Sequence, residues 1–342
     1  MAYGYSPGDN DPLVRLVDSI IGVIGISMRP SGHIVDILPF FKHLPRFKRL
    51  AKHGSHLVET AAQIPYAFVR RQMTAGSHGG SYVSHLIDVA SGPEQELSPA
   101  DENCIKWTAA TMYLAGVEST AGTLTSFLLA MIMFPDIQRK CQQEIDRVVG
   151  TGRLPTFEDR DNLPYVDAML KELLRWNPIA PFGLSHIASE DIIYDGYTIP
   201  KGSVLVATVW SMCHDSSVYE DPTVFNPARF LGPEKEADPW DIVFGFGRRL
   251  CPGRFFADAS LFLDIVTILS LFNVNKGVDE LGNELEPELH VRPGIINHTM
   301  PFPHKVTPRS STHAALIRRL EGDVSWNSSD ASLLGEIPSF DI

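Results

Sequence analysis

Between Phe244 and Phe256 the chain reads Phe-Gly-Phe-Gly-Arg-Arg-Leu-Cys-Pro-Gly-Arg-Phe-Phe. Glycine lets a backbone run close to a flat ligand, because it has no Cβ to hold the two apart. Cys251 stands directly before Pro252, and proline is favoured in the first turn of a helix. The amides and positive dipole end of a helix start favour a thiolate over a thiol. Arg249, two residues earlier, offers a guanidinium to an anionic group of the same ligand. A thiolate ligand to a haem iron fits this set, and so does a buried structural cysteine. A phosphate-binding loop does not fit, since its glycine spacing and Lys-Ser/Thr ending are absent.

Two further stretches carry functional groups at helical spacing. Glu172 and Arg175 lie three residues apart in Lys-Glu-Leu-Leu-Arg-Trp-Asn-Pro, so they share a helix face and can form an ion pair. That spacing alone suits an ordinary surface bridge. Ala115-Gly-Val-Glu-Ser-Thr120 falls inside an apolar run from Thr108 to Phe134 whose only charge is Glu118. Glycine beside hydroxyls in a helix interior can open or bend the backbone ladder. An acid and an alcohol at such a bend could relay protons to a ligand; the plainer alternative is a packing glycine with hydroxyls bonded back to the helix.

These groups need a mainly helical frame. Asp11 to Ser31 reads as a helix with Asp9 or Asn10 as cap, Pro12 in its first turn and Pro30 closing it. A proline-rich turn around Leu38 to Pro45 leads to a long helix, Phe47 to Met73, which Gly76 to Gly80 end. A short helix over Ser81 to Ala90 follows. Ser98 caps a helix that Pro135 limits near Met133. Asp136 to Val149 and Leu163 to Trp176 are amphipathic helices. Glu190 to Pro200 and Ser203 to Trp210 read as strands around a Pro200-Lys201-Gly202 turn. Val218 to Glu236 has no clear period. Pro252 to Phe272 is a last long helix, and Leu289 to Val306 alternates weakly as short strands. The polar, serine-rich residues 321–342 read as a disordered tail.

Composition narrows the function classes. The 342 residues carry 29 Lys and Arg against 41 Asp and Glu, a net charge of -12, which gives no nucleic-acid footprint. Cys104, Cys141, Cys213 and Cys251 are too scattered for a disulfide-dense secreted scaffold. The N-terminus has no secretory signal pattern. The run from Thr108 to Phe134 is long enough to cross a bilayer, but Glu118, Ser119, Thr120 and Thr123 in its middle favour a central helix buried on all sides.

Taken in order, these stretches resemble the cytochrome P450 superfamily. Phe244, Gly247, Arg249, Cys251 and Gly253 match its Phe-x-x-Gly-x-Arg-x-Cys-x-Gly pattern. Glu172 and Arg175 match the Glu-x-x-Arg of its K helix, and Phe225-Asn-Pro-Ala-Arg-Phe230 matches the following Pro-x-Arg-Phe element, so that Arg229 would complete a structural triad. Ala115-Gly-Val-Glu-Ser-Thr120 is similar to the oxygen-activation motif of its I helix. The wording around Cys251 resembles filamentous-fungal microsomal enzymes of secondary or xenobiotic metabolism.

The resemblance implies a mainly α fold with a small β part: a cytochrome P450 fold lacking its N-terminal portion and starting at about the end of helix E. One partial domain would cover 1–320, with an F–G region at 11–73, the I helix at 98–133, the K helix at 163–176, the cysteine loop at 244–253 and the L helix at 252–272. The membrane anchor and the C-helix Trp-x-x-x-Arg motif would be missing. Cys251 would be the axial ligand to the iron of haem b. Arg249, Phe244, Gly247, Gly253, Ala115, Gly116 and His186 would bind the cofactor. Glu118, Ser119 and Thr120 would serve catalysis.

The same resemblance implies one oxygen atom of O2 inserted into a small apolar substrate. Electrons would come from NADPH through NADPH–cytochrome P450 reductase, with cytochrome b5 as a further donor. Thr111, Tyr113, Leu114, Pro181 to Leu184 and Met300 would line the pocket. Relatives of this kind sit on the cytoplasmic face of the endoplasmic reticulum; without an anchor this chain would be cytoplasmic. Two departures stand out. Ser119 occupies the usual threonine position, keeping the hydroxyl but not the methyl that restricts its rotamer. Ile187 stands where fungal relatives commonly have an arginine that approaches a haem propionate. A truncated or inactive pseudoenzyme, and a soluble helical interaction protein, are the alternatives.

Overall fold

Asp11 opens the first helix. Its carboxylate accepts from the amides of Leu13 at 2.9 Å and Val14 at 3.4 Å, and from the Tyr5 hydroxyl at 2.6 Å. Asp11 itself therefore caps α1 (Pro12–Ser27), in place of the Asp9 or Asn10 read from the sequence. Asn10, at φ 51°, turns the chain just before it. The expected stop at Pro30 lies outside the described residues. The computed structural model describes residues 1–27, 35, 38–92, 97–292, 294–323 and 328–335.

A 3-10 turn over Pro39–His43 leads into α2 (Pro45–Thr74). From Leu57 onward α2 buries Leu57, Ala61, Phe68 and Val69, the spacing of one helical face. Gly76 follows at φ 66°. Ser81 and Ser84 then form a reciprocal cap on α3 (Tyr82–Ala90). The Ser98 hydroxyl accepts from the Asp101 amide at 3.1 Å and so starts α4 (Pro99–Met133).

The chain forms two compact units. Met1–Glu118 with Ser325–Ile342 make the first, and Ser119–Val324 the second. Leu13, Leu16, Leu57, Tyr66, Val83 and Ile105 lie in the core of the first unit. The second is centred on Phe127, Met131, Ile145, Leu173, Phe262 and Ile265. These come from the end of α4, from α5 (Pro135–Val148), α6 (Pro164–Trp176) and α9 (Arg254–Leu271).

Among the described residues α4 is the one helix long and apolar enough to cross a membrane. Its last turns, with Phe127, Leu129, Ala130 and Met131 fully buried, make it a core helix there. It is not buried on all sides as expected, because Thr111, Met112, Ala115, Gly116 and Ala121 are exposed.

Polar anchors set the helices of the second unit. The Glu144 carboxylate on α5 accepts from the amides of Tyr165 and Val166 at 2.9 and 3.0 Å, capping α6 from outside its own sequence. Arg160 bonds both Asp167 of α6 and Asp258 of α9. Asp159, held by the Arg153 guanidinium at 2.6 and 2.7 Å and by the Thr156 amide at 2.8 Å, has its carboxyl lowered to about 2, chiefly by Arg153. A depressed carboxyl contributes stability above its unfolded pKa of roughly 4 and loses it as pH falls toward the folded value. Asp159→Asn should therefore destabilise the protein near pH 7, and the gap to the parent should shrink as pH falls from about 4 toward 2. Urea unfolding followed by tryptophan fluorescence checks this; a gap independent of pH would contradict it.

The β part consists of two-stranded antiparallel sheets. β1 (His186–Ile187) pairs with β4 (Val204–Leu205). The expected strand over Glu190 to Pro200 is a hairpin, β2 (Ile192–Tyr194) against β3 (Tyr197–Ile199). Asp195 and Gly196, at φ 47° and 79°, form the two-residue turn that matches strand twist. The expected strand over Ser203 to Trp210 stops at Leu205, and α7 (Val209–Cys213) follows. β5 (Phe272–Lys276) pairs with β8 (His304–Pro308), and β6 (Val291–Arg292) with β7 (His298–Thr299). α10 (Ser311–Asp323) runs past residue 320. Residues 328–335 are ordered in the first unit and include a 3-10 turn at Ala331–Leu333.

Candidate functional site

The cysteine loop lies between α8 (Trp240–Val243) and α9. Gly245 and Gly247 take φ 83° and 55°, the left-handed region that favours glycine. From Gly247 the chain folds into a 3-10 turn, Gly247–Arg249. The Cys251 amide donates to the Phe244 carbonyl at 2.8 Å and closes the loop. Phe244 is partly buried and stands 4.4 Å from the Trp240 ring. α9 begins at Arg254 with Gly253 as its cap, so Cys251 stands two residues before the cap rather than directly before the helix. A Cβ on Gly253 would lie 3.9 Å from Cys251 Sγ.

The four thiols differ in setting. Cys141 and Cys213 are buried, and burial pushes the Cys213 thiol up to about 12 and the Cys141 thiol further still. Cys104 is exposed on α4. Cys251 alone is half-buried, in a loop with Phe246, Leu250 and Arg249 exposed around it. His186 is exposed on β1, opposite Leu205.

On α4 the helix continues unbroken through Ala115–Thr120. Glu118, Ser119 and Thr120 are half-buried, while Ala115 and Gly116 are exposed. Thr123, which the sequence motif did not single out for this role, donates its hydroxyl to the Ser119 carbonyl at 2.9 Å. Thr125 and Ser126 bond back to Ala121 and Gly122 in the same way. Ser126 also accepts from Asn177 at 2.9 Å and meets the Thr299 hydroxyl at 2.9 Å. Beside this network, a Cβ on Gly122 would lie 2.6 Å from Ile179 Cδ1. The helix and the chain after α6 meet there through the absence of a side chain.

The structure brings Glu172, Arg175 and Arg229 together. Glu172 and Arg175 are wholly buried and joined by two bonds of 2.7 and 2.9 Å, which excludes a surface bridge. Arg229 approaches Glu172 at 3.2 Å and Glu236 at 2.7 Å. The Asn226 amide donates to Glu172 at 2.7 Å. Arg175 spends its remaining donors on the carbonyls of Cys213, Pro222 and Val224. The sequence carries no signal for the roles of Glu236 and Asn226, because their segment has no hydrophobic period.

The cysteine loop fits a haem. Porphyrin supplies four nitrogens to its iron, so one protein thiolate and a flat apolar surface suffice. Cys251, with exposed Phe246 and Leu250 in the same loop, would offer such a set, and the two left-handed glycines leave the loop without side chains at its turns. Among the described residues no three His, Cys, Asp or Glu side chains converge as a metal site of their own.

The sequence model of the family described as Cytochrome P450 matches residues 6–304. The chain belongs to the cytochrome P450 family. Among curated relatives of this P450, the multifunctional cytochrome P450 monooxygenase af510 of Aspergillus fumigatus is 42% identical, covering 98% of this chain and 65% of the relative. Cytochrome P450 monooxygenase CLM2 of Gibberella zeae is 41% identical over 97% of this chain and 65% of its own length. Cytochrome P450 monooxygenase claR of Ampulloclitocybe clavipes is 40% identical over 96% and 62%. The P450 chain thus spans 62–65% of the length of these relatives.

Proposed function

We propose that the protein is a haem-thiolate monooxygenase. It inserts one atom of O2 into a small apolar substrate, with electrons from NADPH through NADPH–cytochrome P450 reductase and cytochrome b5 as a further donor. The observation that carries this reading is Cys251: a half-buried thiol in a glycine loop flanked by exposed Phe246 and Leu250, inside the family match. Bound haem b would supply the oxygen-activating redox chemistry, which a thiolate ligand favours. Cys251 Sγ would hold the iron. Arg249 would neutralise a haem carboxylate, with His186 as a further contact to the cofactor, and Phe244, Gly247 and Gly253 hold the loop in shape. Ala115 and Gly116 leave α4 low enough for a flat ligand to approach. The Glu118 carboxylate and the Ser119 hydroxyl hold and pass protons, with Thr120 one position further round. Thr111, Tyr113, Leu114, Pro181 to Leu184 and Met300 contact the substrate.

The test is expression with haem precursor and reductase, followed by turnover under isotopically labelled O2. Stoichiometric haem and one labelled oxygen atom per product are expected. Protein that takes up no haem from a saturating supply would overturn the reading. For Ser119 the expectation is specific. Ser119→Ala should keep its haem but divert reducing equivalents to peroxide, lowering product per NADPH roughly tenfold, below the usual 10²–10⁴ for a proton-transfer group because Glu118 remains. Ser119→Thr should keep or raise coupling through its restricted rotamer. Equal coupling in all three proteins would remove Ser119 from proton delivery.

A further inference from the structure

The family match ends at residue 304, yet residues 328–335 are built into the first unit. Asp330 and Ser6 exchange two bonds: the Ser6 amide donates to the Asp330 carboxylate at 2.8 Å, and the Asp330 amide to the Ser6 carbonyl at 2.9 Å. At the end of α2 the Arg71 guanidinium donates to the carbonyls of Leu333 at 2.7 Å and Leu334 at 3.1 Å. The Leu334 side chain is 3% exposed and joins the cluster formed by Tyr3, Leu13, Leu57 and Tyr66. Gly8 passes so close that a Cβ there would stand 2.6 Å from Ser329 Oγ. The contacts are therefore specific in register: a carboxylate at 330, an apolar anchor at 334, and no side chain at position 8.

We infer that residues 328–335 are a detachable strap, which holds the N-terminal segment around Ser6–Gly8 beside the end of α2 and opens without unfolding the rest of the protein. Its attachment has few parts. Of the eight residues Leu334 alone is buried, and its neighbour Leu333 is 47% exposed. Segments with few buried apolar contacts and solvent-facing hydrogen bonds open locally, well below the cost of global unfolding. What the strap holds is the stretch that precedes the cap of α1. The Gly8 amide and the Tyr5 hydroxyl both donate to Asp11, so opening the strap frees two of the groups that fix that cap. The strap is thus a control on the order of the N-terminal segment and the first turn of α1, built from sequence outside the family match.

Hydrogen exchange on the full chain tests this. In Leu334→Asp the amides of Ser6 and Asp330 should exchange at least about tenfold faster, while amides of α6 and α9 keep their protection. Asp330→Ala, which leaves the anchor in place, should speed the Ser6 amide with a smaller effect on the Leu334 amide. Ser6 exchange unchanged in both variants would overturn the strap. So would loss of protection in α6 and α9 together with Ser6, because the segment would then open only when the whole protein unfolds.

Discussion

Cys251→Ala is expected to abolish the reduced carbon monoxide band of thiolate-ligated haem without unfolding the protein. The expectation rests on what the cysteine contributes to the loop. Its amide closes the turn on Phe244 at 2.8 Å, and its carbonyl accepts from the Arg254 amide at 3.3 Å. Alanine keeps both bonds. Only Sγ is lost, and that side chain is not part of the buried core. A change of this kind away from the core is within about 1 kcal/mol. Spectrum and stability should therefore separate: the band disappears while the apoprotein melts as before. Cys141→Ser and Cys213→Ser give the opposite pattern, because each places a hydroxyl where the thiol is wholly buried. They should lower the melting temperature and leave the band position intact. A band that survives Cys251→Ala would remove Cys251 as the ligand.

The second large effect is expected at Glu172. Its carboxylate sits wholly buried between Arg175 and Arg229 and also accepts from the Asn226 amide. Glu172→Ala leaves Arg175 buried with no carboxylate within reach of its Nε. Removing one member of a buried ion pair costs about 3–5 kcal/mol, which in a unit of this size corresponds to a fall in melting temperature on the order of 10 °C or more. Glu236→Ala should cost less, since Glu236 keeps part of its surface in solvent and Arg229 retains Glu172. Thermal unfolding monitored by circular dichroism, in the parent and both variants, checks the order. A Glu172→Ala protein that melts with the parent would mean that the triad carries no stability.

The long helices were legible because each announces itself twice, once by period and once by a cap or stop. Ser98 with Asp101, Pro135, and Asn177-Pro178 after Trp176 all lie at real boundaries. The short strands were not, since a strand of two or three residues has no period to read. The Asp195-Gly196 turn is a strong local signal, but it lay inside a run taken as one strand. β5 was hidden because Phe272–Lys276 continues directly from α9; only its partner β8, some thirty residues later, defines it as a strand. The cap at Asp11 was misassigned by one or two positions because Asp9, Asn10 and Asp11 are chemically alike, and the Tyr5 and Gly8 contacts that select Asp11 come from upstream of the helix.

At the site, Glu172 and Arg175 meet as their helical spacing allows, while that spacing says nothing of their other partners. Glu236 and the carbonyls that receive Arg175 come from a segment without period. The Thr123 bond to Ser119 needs only an i to i−4 hydroxyl and was available from spacing alone. The start of α9 two residues later than expected follows from Pro252 and Gly253 forming a turn of their own, which no propensity at Pro252 distinguishes from a first helical turn.

The close approach at Gly122 makes two positions mutationally dependent. Any residue larger than glycine at 122 places its Cβ against Ile179 Cδ1. The colliding atom is the tip of a side chain, so the conflict is relieved by shortening Ile179 rather than by moving α4. Ile179→Val removes that tip at a cost typical of one methylene, about 0.5–1.5 kcal/mol. Gly122→Ala then becomes acceptable, and the helix regains the propensity that glycine withholds, up to about 1 kcal/mol. The two changes are therefore epistatic, and their order matters: a lineage that alters 179 first can follow with 122, whereas the reverse passes through a strained intermediate. Positions 122 and 179 are thus predicted to vary together between relatives.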